Sequence, residues 1–173
     1  MSIASSHRAV RTALALACAG LLLASPAARA IEPGQALPLT SVPGADAAPV
    51  PLLDGKARLT YIDFWASWCG PCRQSFPWMN RMQEKFGPQG LRIVAVNLDA
   101  QRADAQLFLS QVPAKVQLAF DGGGETARRF GVKAMPSSVL VGADGKVIAV
   151  HHGFRDEDGG ALEARFAAAL SRP

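Results

Sequence analysis

The sequence predicts an α/β domain in which helices sandwich a central mixed β-sheet, and three observations carry that expectation. Residues 58–64 and 92–98 are mainly apolar, β-branched and aromatic, the pattern of strands covered on both faces. Each is followed by a stretch whose apolar residues recur at helical spacing. Near the end, two β-branched runs flank Ala143-Asp144-Gly145, a hairpin turn, and an amphipathic helix closes the chain.

Residues 1–30 are set apart from this domain because they have the layout of a secretory signal. A basic start with His7, Arg8 and Arg11 leads into an apolar run over 13–24, and Pro26 precedes Ala28-Arg29-Ala30, a small-residue cleavage site. The run falls short of the roughly 20 apolar residues that a spanning helix needs, so cleavage before Ile31 is expected rather than anchoring. Cys18 lies inside the run, without the leucine three positions earlier that a lipid-attachment site would have. The full chain carries 18 basic and 14 acidic residues, net +4, but residues 1–30 hold three arginines and no acid, which leaves a mature domain at +1. That balance gives no reason to expect a nucleic-acid partner.

In order, residues 31–55 are rich in Pro, Gly and Ala, with short apolar pieces at 36–39 and 50–53 that suggest an N-terminal extension or hairpin ending at Asp54-Gly55. The strand at 58–64 carries Thr60, Tyr61, Ile62 and Phe64, with Asp63 as its anomaly. Phe76, Met79, Met82 and Phe86 mark a helix over 71–85 with a kink expected at Pro77. A strand at 92–98, a helix at 103–112 stopping before Pro113, a strand at 116–120 and a helix at 125–130 closed by Gly131 come next. Strands at 137–141 and 146–151 form the hairpin, and the last helix spans 157–170.

The chemistry is expected at Cys69 and Cys72, the two cysteines of the mature domain, in the stretch Trp65 to Pro77 that reads WASWCGPCRQSFP. A structural disulfide here would close too small a loop to stabilise much. Zinc needs four ligands, and the adjacent His151 and His152 lack the spacing to complete a set, so neither a metal site nor a cofactor is expected. Thiol exchange fits better. Cys69 falls where a strand and short loop give way to a helix, so the free N–H groups and positive end of the helix favour its thiolate, the reactive form. Cys72 is one turn on, on the same face, and can attack a mixed disulfide on Cys69. Gly70 allows close approach, and Pro71 occupies the first turn, where its missing N–H costs nothing.

Asp63, six residues before Cys69 on a strand covered on both faces, should be desolvated with a raised pKa, which suits a carboxyl that takes the Cys72 proton. A carboxylate satisfied by local hydrogen bonds is the plainer alternative. His151 and His152 alternate in the hairpin strand, one to each face, and are expected to be solvated edge residues.

The segment DFWASWCGPC from Asp63 to Cys72 resembles the active-site segment of thioredoxin, and GVKAMPSSVLVGADGKV from Gly131 to Val147 resembles that family's second signature. The resemblance implies a thioredoxin-like fold, an exposed Trp68 beside the dithiol, and a cis bond at Pro136 that sets Met135 to pair with a substrate's extended chain. Some 25 extra residues at 100–124, the N-terminal extension and the signal are similar to the exported TlpA and ResA type, including the cytochrome c maturation members. Two positions depart from the patterns. Ala95 aligns with a thioredoxin lysine near the buried acid, and Ser137-Ser138 replace the glutamate that follows the cis-proline in cytochrome-maturation members.

Together these imply an exported, periplasmic, monomeric thiol:disulfide oxidoreductase. Gly-Pro between the cysteines resembles the strongly reducing members, which implies disulfide-containing protein substrates and a membrane electron donor that keeps the dithiol reduced. A periplasmic oxidase or isomerase is the alternative within the fold. A copper-handling chaperone is another, although copper-carrying relatives space their cysteines three apart and add a nearby histidine.

Overall fold

The computed structural model describes residues 30–46 and 48–171, so the expected signal lies outside the described residues apart from Ala30. Two short strands, β1 (Ser41–Pro43) and β2 (Pro49–Pro51), pair antiparallel in a small hairpin. The main sheet begins with β3 (Leu59–Trp65), whose seven residues are all buried. It leads into α1 (Gly70–Phe86), a short 3-10 turn at Gly87–Gln89 and β4 (Leu91–Asn97). Then come α2 (Arg102–Gln111), β5 (Gln117–Phe120), α3 (Glu125–Phe130), β6 (Ser137–Gly142), β7 (Val147–His152) and α4 (Asp158–Leu170).

The five strands lie in the order β5-β4-β3-β6-β7. β3–β4 and β4–β5 are parallel, joined by crossovers that carry α1 and α2, while β3–β6 and β6–β7 are antiparallel, so the sheet is mixed. Its centre is β3, because an apolar run with no polar face needs cover on both sides. Tyr61 and Trp65 on one face pack with Phe76, Trp78 and Met79 of α1, Phe108 of α2 and Phe166 of α4. Ile62 and Phe64 on the other face pack with Phe130 of α3 and with Val42, Val50 and Leu52 of the N-terminal hairpin. The second face is therefore covered by one short helix and the extension together.

One expectation needs correction, and two others gain detail. The N-terminal stretch is both a hairpin, β1–β2, and an extended segment at 36–39. Ala36 bridges Lys146, Gly34 and Leu37 donate N–H bonds to the carbonyls of Val147 and Gly145, and Val147 donates to Gln35, because β7 is an edge whose backbone needs partners. Helix α1 runs through Pro77 as one element, with the proline ring on its exposed side. The histidines are not both solvated: His152 is exposed, but His151 lies under α4 with its Nε2 buried.

Phe166 is fully buried, with ring centroids 5.2 Å from Tyr61, 5.7 Å from Trp78 and 6.2 Å from Phe86. Phe166→Ala should therefore cost about 3–5 kcal/mol in urea unfolding of the oxidised protein. A loss under about 1 kcal/mol would show that α4 is not held by this cluster.

Candidate active site

The site grows from the carboxyl end of β3. After Trp65 the chain turns, with the Cys69 N–H donating to the Ala66 carbonyl at 3.1 Å, and α1 begins with Cys69 itself as the N-cap residue in extended conformation (φ −84°, ψ 103°). No side chain caps this helix and no acid stands in its first turn. The first-turn N–H groups and the positive end of the helix thus face the Cys69 end of the loop without a competing carboxylate. Pro71 lies within that first turn. Sγ of Cys69 is bonded to Sγ of Cys72 at 2.04 Å, with the Cα atoms 5.3 Å apart. Both cysteines are nearly closed off, at 4% and 0% exposure, whereas Trp68 beside them is 72% exposed.

The loop that carries Trp68 is clamped from below by a residue that sequence reasoning missed. Asp99, just past β4, accepts the Ser67 N–H at 2.9 Å on Oδ2 and the Ser67 hydroxyl at 2.9 Å on Oδ1, and Asn97 Nδ2 also donates to Oδ2 at 2.7 Å. Its position just beyond the carboxyl end of a buried strand is the one hint the sequence holds, and that hint does not distinguish a clamp from a solvated aspartate.

Trp68 divides two depressions. One, of about 200 Å³, is walled by Ser67, Arg73, Asp104 and Leu107 and brings α2 to the site. The other, about 370 Å³ and mainly apolar, runs from Trp68 past Leu98 and Val132 to Met135. The Met135–Pro136 bond is cis, and the Pro136 carbonyl accepts the N–H of Gly153, whose φ of +79° suits glycine. Met135 packs against the cluster that contains both cysteines.

Asp63 is 2% exposed and shares a face of β3 with Tyr61 and Trp65, the face that packs against α1. Its register neighbours are Ala95 on β4 and Ser138 on β6, and its Oδ2 has no hydrogen-bond partner. Burial pushes its pKa well above the ordinary carboxyl value. Burial also raises the Tyr61 phenol, helped by the Asp63 charge and opposed by contact with Ser138. Of the residues expected at the site, Cys69, Cys72, Gly70, Pro71, Trp68 and Met135–Pro136 gather at one end of the sheet, with Asp63 beneath them. Among the described residues, no three His, Cys, Asp or Glu side chains come together where they could hold a metal ion.

A mixed sheet of this strand order, with a disulfide closed in the first turn of the helix after its central strand, places the molecule among the thioredoxin-like thiol-disulfide oxidoreductases. Residues 32–169 match the Redoxin family model, and the chain belongs to that family. It is 33% identical to the thiol-disulfide oxidoreductase ResA of Bacillus thuringiensis subsp. konkukian over 118 residues, 68% of each chain. The ResA of Bacillus subtilis is 29% identical over 108 residues, 62% of this chain and 60% of that one. A crystal structure from Chlorobium tepidum, described as a thiol:disulfide interchange protein DsbE, superposes with a TM-score of 0.77 at 51% identity, covering 82% of this chain and all of the other.

Two outcomes follow from this geometry. Asp99→Ala strands the Ser67 groups and should cost about 1–3 kcal/mol of stability in denaturant unfolding, and an unchanged midpoint would remove Asp99 from the clamp. For Asp63 the folded-state pKa lies above the unfolded value near 3.8, so the folded state holds this proton more tightly. Stability from this group is intact below that unfolded value and declines as pH rises through the window up to the folded pKa. Oxidised Asp63→Asn should accordingly melt at a higher temperature than the parent at alkaline pH and converge with it toward pH 4. Parallel melting curves across that range would contradict the assignment.

Proposed function

We propose that the protein is an exported reductant of protein disulfides that works through Cys69 and Cys72. The observation that carries this reading is the position of Cys69 as the N-cap residue of α1, bonded to a second cysteine inside the first turn. In the reduced form the Cys69 thiolate attacks one sulfur of a substrate disulfide; a mixed disulfide forms and the other substrate sulfur leaves as a thiolate. Asp63, as carboxylate, takes the proton of Cys72, whose thiolate attacks Sγ of Cys69. The second substrate thiolate leaves, and the protein is left with the Cys69–Cys72 disulfide. Two electrons and two protons from a membrane donor of the thiol-reducing pathway restore the dithiol.

Trp68 and Met135 wall the same depression, which suits an extended substrate chain laid beside the dithiol, with the Met135 backbone as its pairing edge. The signal-like residues 1–30 support export to the periplasm. No described helix is long and apolar enough to cross a membrane. The ResA-named relatives support thiol-disulfide exchange, the Gly-Pro pair between the cysteines is what points to a reductant, and cysteine pairs of apocytochrome c are a candidate substrate class, although Ser137-Ser138 differ from the glutamate of the cytochrome-maturation members.

Trapping tests the reading. Cys72→Ser should hold disulfide-bonded partners from a periplasmic extract on Cys69, releasable by dithiothreitol, and should fail to reduce insulin catalytically; Cys69→Ser should hold none. Equal capture by both variants would overturn the assignment of Cys69 as the attacking sulfur.

A further inference from the structure

The residue that follows Pro136 is tied to the end of β7 by side chains that the dithiol chemistry does not use. Ser137 opens β6 and stands opposite His152, the last residue of β7. The Ser137 hydroxyl donates to the Ala134 carbonyl at 2.7 Å and lies 3.2 Å from Nδ1 of His152. A hydroxyl has one hydrogen to give, and a carbonyl can only accept. The shorter contact therefore takes the serine hydrogen, and the longer one is a hydrogen bond in which Nδ1–H of the imidazole donates to Ser137 Oγ. Ser137 is 3% exposed, whereas His152 lies open to solvent, so the bond holds a buried hydroxyl from the surface.

The backbone repeats the tie. Gly153 donates its N–H to the Pro136 carbonyl at 2.8 Å, next to the side-chain bond along both segments. Phe154 follows, buried, with its ring centroid 5.4 Å from that of Trp78 in α1. Residues 152–154 thus join two parts of the site: the loop 134–137, which presents Met135, and the helix that begins at the cysteines. Ala134 and Met135 both line the apolar depression beside Trp68. A binding edge made of loop backbone is only as precise as the groups that hold it from behind.

We propose that His152 is a positioning residue for protein substrates. Through Ser137 it holds the loop 134–137 so that the Met135 backbone meets the substrate's extended chain beside the dithiol. The contact is with the loop and not with the reacting sulfurs, so it governs binding and leaves the exchange step to the cysteines. The substrates that depend on it are disulfides within an extended polypeptide, which have a backbone to pair. The inference rests on the reading of Met135 as the pairing edge.

Steady-state reduction of insulin, with dithiothreitol as electron donor, tests the role of His152. His152→Ala removes the donor and should raise KM about threefold to tenfold, the range that one hydrogen bond of ordinary strength gives, with kcat close to that of the parent. His152→Asn, whose side-chain amide can place an N–H where Nδ1–H stood, should restore the parent KM, which a merely structural defect would not permit. Ser137→Ala should raise KM as well, and adding His152→Ala to it should change nothing further, because the imidazole then has no oxygen to hold. An unchanged KM in His152→Ala, a rise that Asn does not restore, or effects that multiply in the double variant overturns the proposal. Ala134→Glu keeps the two readings apart, since Ala134 is exposed and a carboxylate in the apolar depression should raise the insulin KM by itself. If it does so while His152→Ala does not, the positioning role fails alone; if neither raises KM, no substrate chain lies along the depression and both fail.

Discussion

An α-helix cannot satisfy the N–H groups of its own first turn, and in this chain the residue left facing them is a cysteine. The rest of the fold keeps that arrangement fixed. Strand β3 is the middle strand of five, buried along its whole length, so the point from which the cysteine loop departs has little freedom. Asp99 ties the loop to the end of β4, and Pro71 sets the backbone of the first turn. On the far side of α1, Phe76 packs edge-on against Trp65 with ring centroids 4.8 Å apart, which binds the helix back onto the strand that precedes it. Both sulfurs are thus positioned by elements that would have to unfold to move them.

The helix–strand insert extends that support and changes what the site presents. Phe108 of α2 sits 4.8 Å from Trp65 and 5.2 Å from Phe76 between ring centroids, so α2 becomes part of the wall behind the dithiol. One residue earlier, Leu107 points outward, 63% exposed, into the depression beside Trp68. β5 meanwhile extends the sheet beyond β4. A chain without residues 100–124 would have an open depression on this side of Trp68. The insert makes the surface around the reactive sulfur two-sided, and substrate choice can reside there while the chemistry stays with the cysteines.

Much of this was legible in the sequence because buried strands and amphipathic helices leave strong periodic marks. The strands at 58–64 and 92–98 fall within one residue of β3 and β4, and α3 ends at Gly131, which adopts the left-handed conformation (φ +66°) that a terminating glycine allows. The partner of the N-terminal piece at 36–39 was not legible because it lies at the start of the β7 edge, over a hundred residues away, and no local pattern encodes such a pairing. Of the histidine readings, one went wrong. His151 was misread for a related reason. Alternation fixes its face but not what covers that face, and α4 is placed by tertiary packing of Leu162 and Phe166. Asp99 escaped notice because a lone aspartate in a loop looks the same whether it clamps a neighbouring loop or merely faces water.

The electrostatics around the sulfurs bear on which way electrons flow. Stabilising the thiolate stabilises the reduced protein and makes the disulfide a stronger oxidant, as in the most oxidising members of the class. Here the helix terminus supplies the stabilising end. The nearest basic side chain of α1, Arg73, is drawn away, its guanidinium donating to Gln111 at 2.9 Å and stacking 5.1 Å from the Phe108 ring centroid. Position 95, next to the buried acid, holds alanine where a cation could have stood. Asp63 itself, once ionised, opposes a second negative charge on the same face of the sheet. The reductant proposed above draws on this balance of charges: a helix terminus as stabiliser, alanine rather than a cation at position 95, and a buried carboxyl on the same face of the sheet.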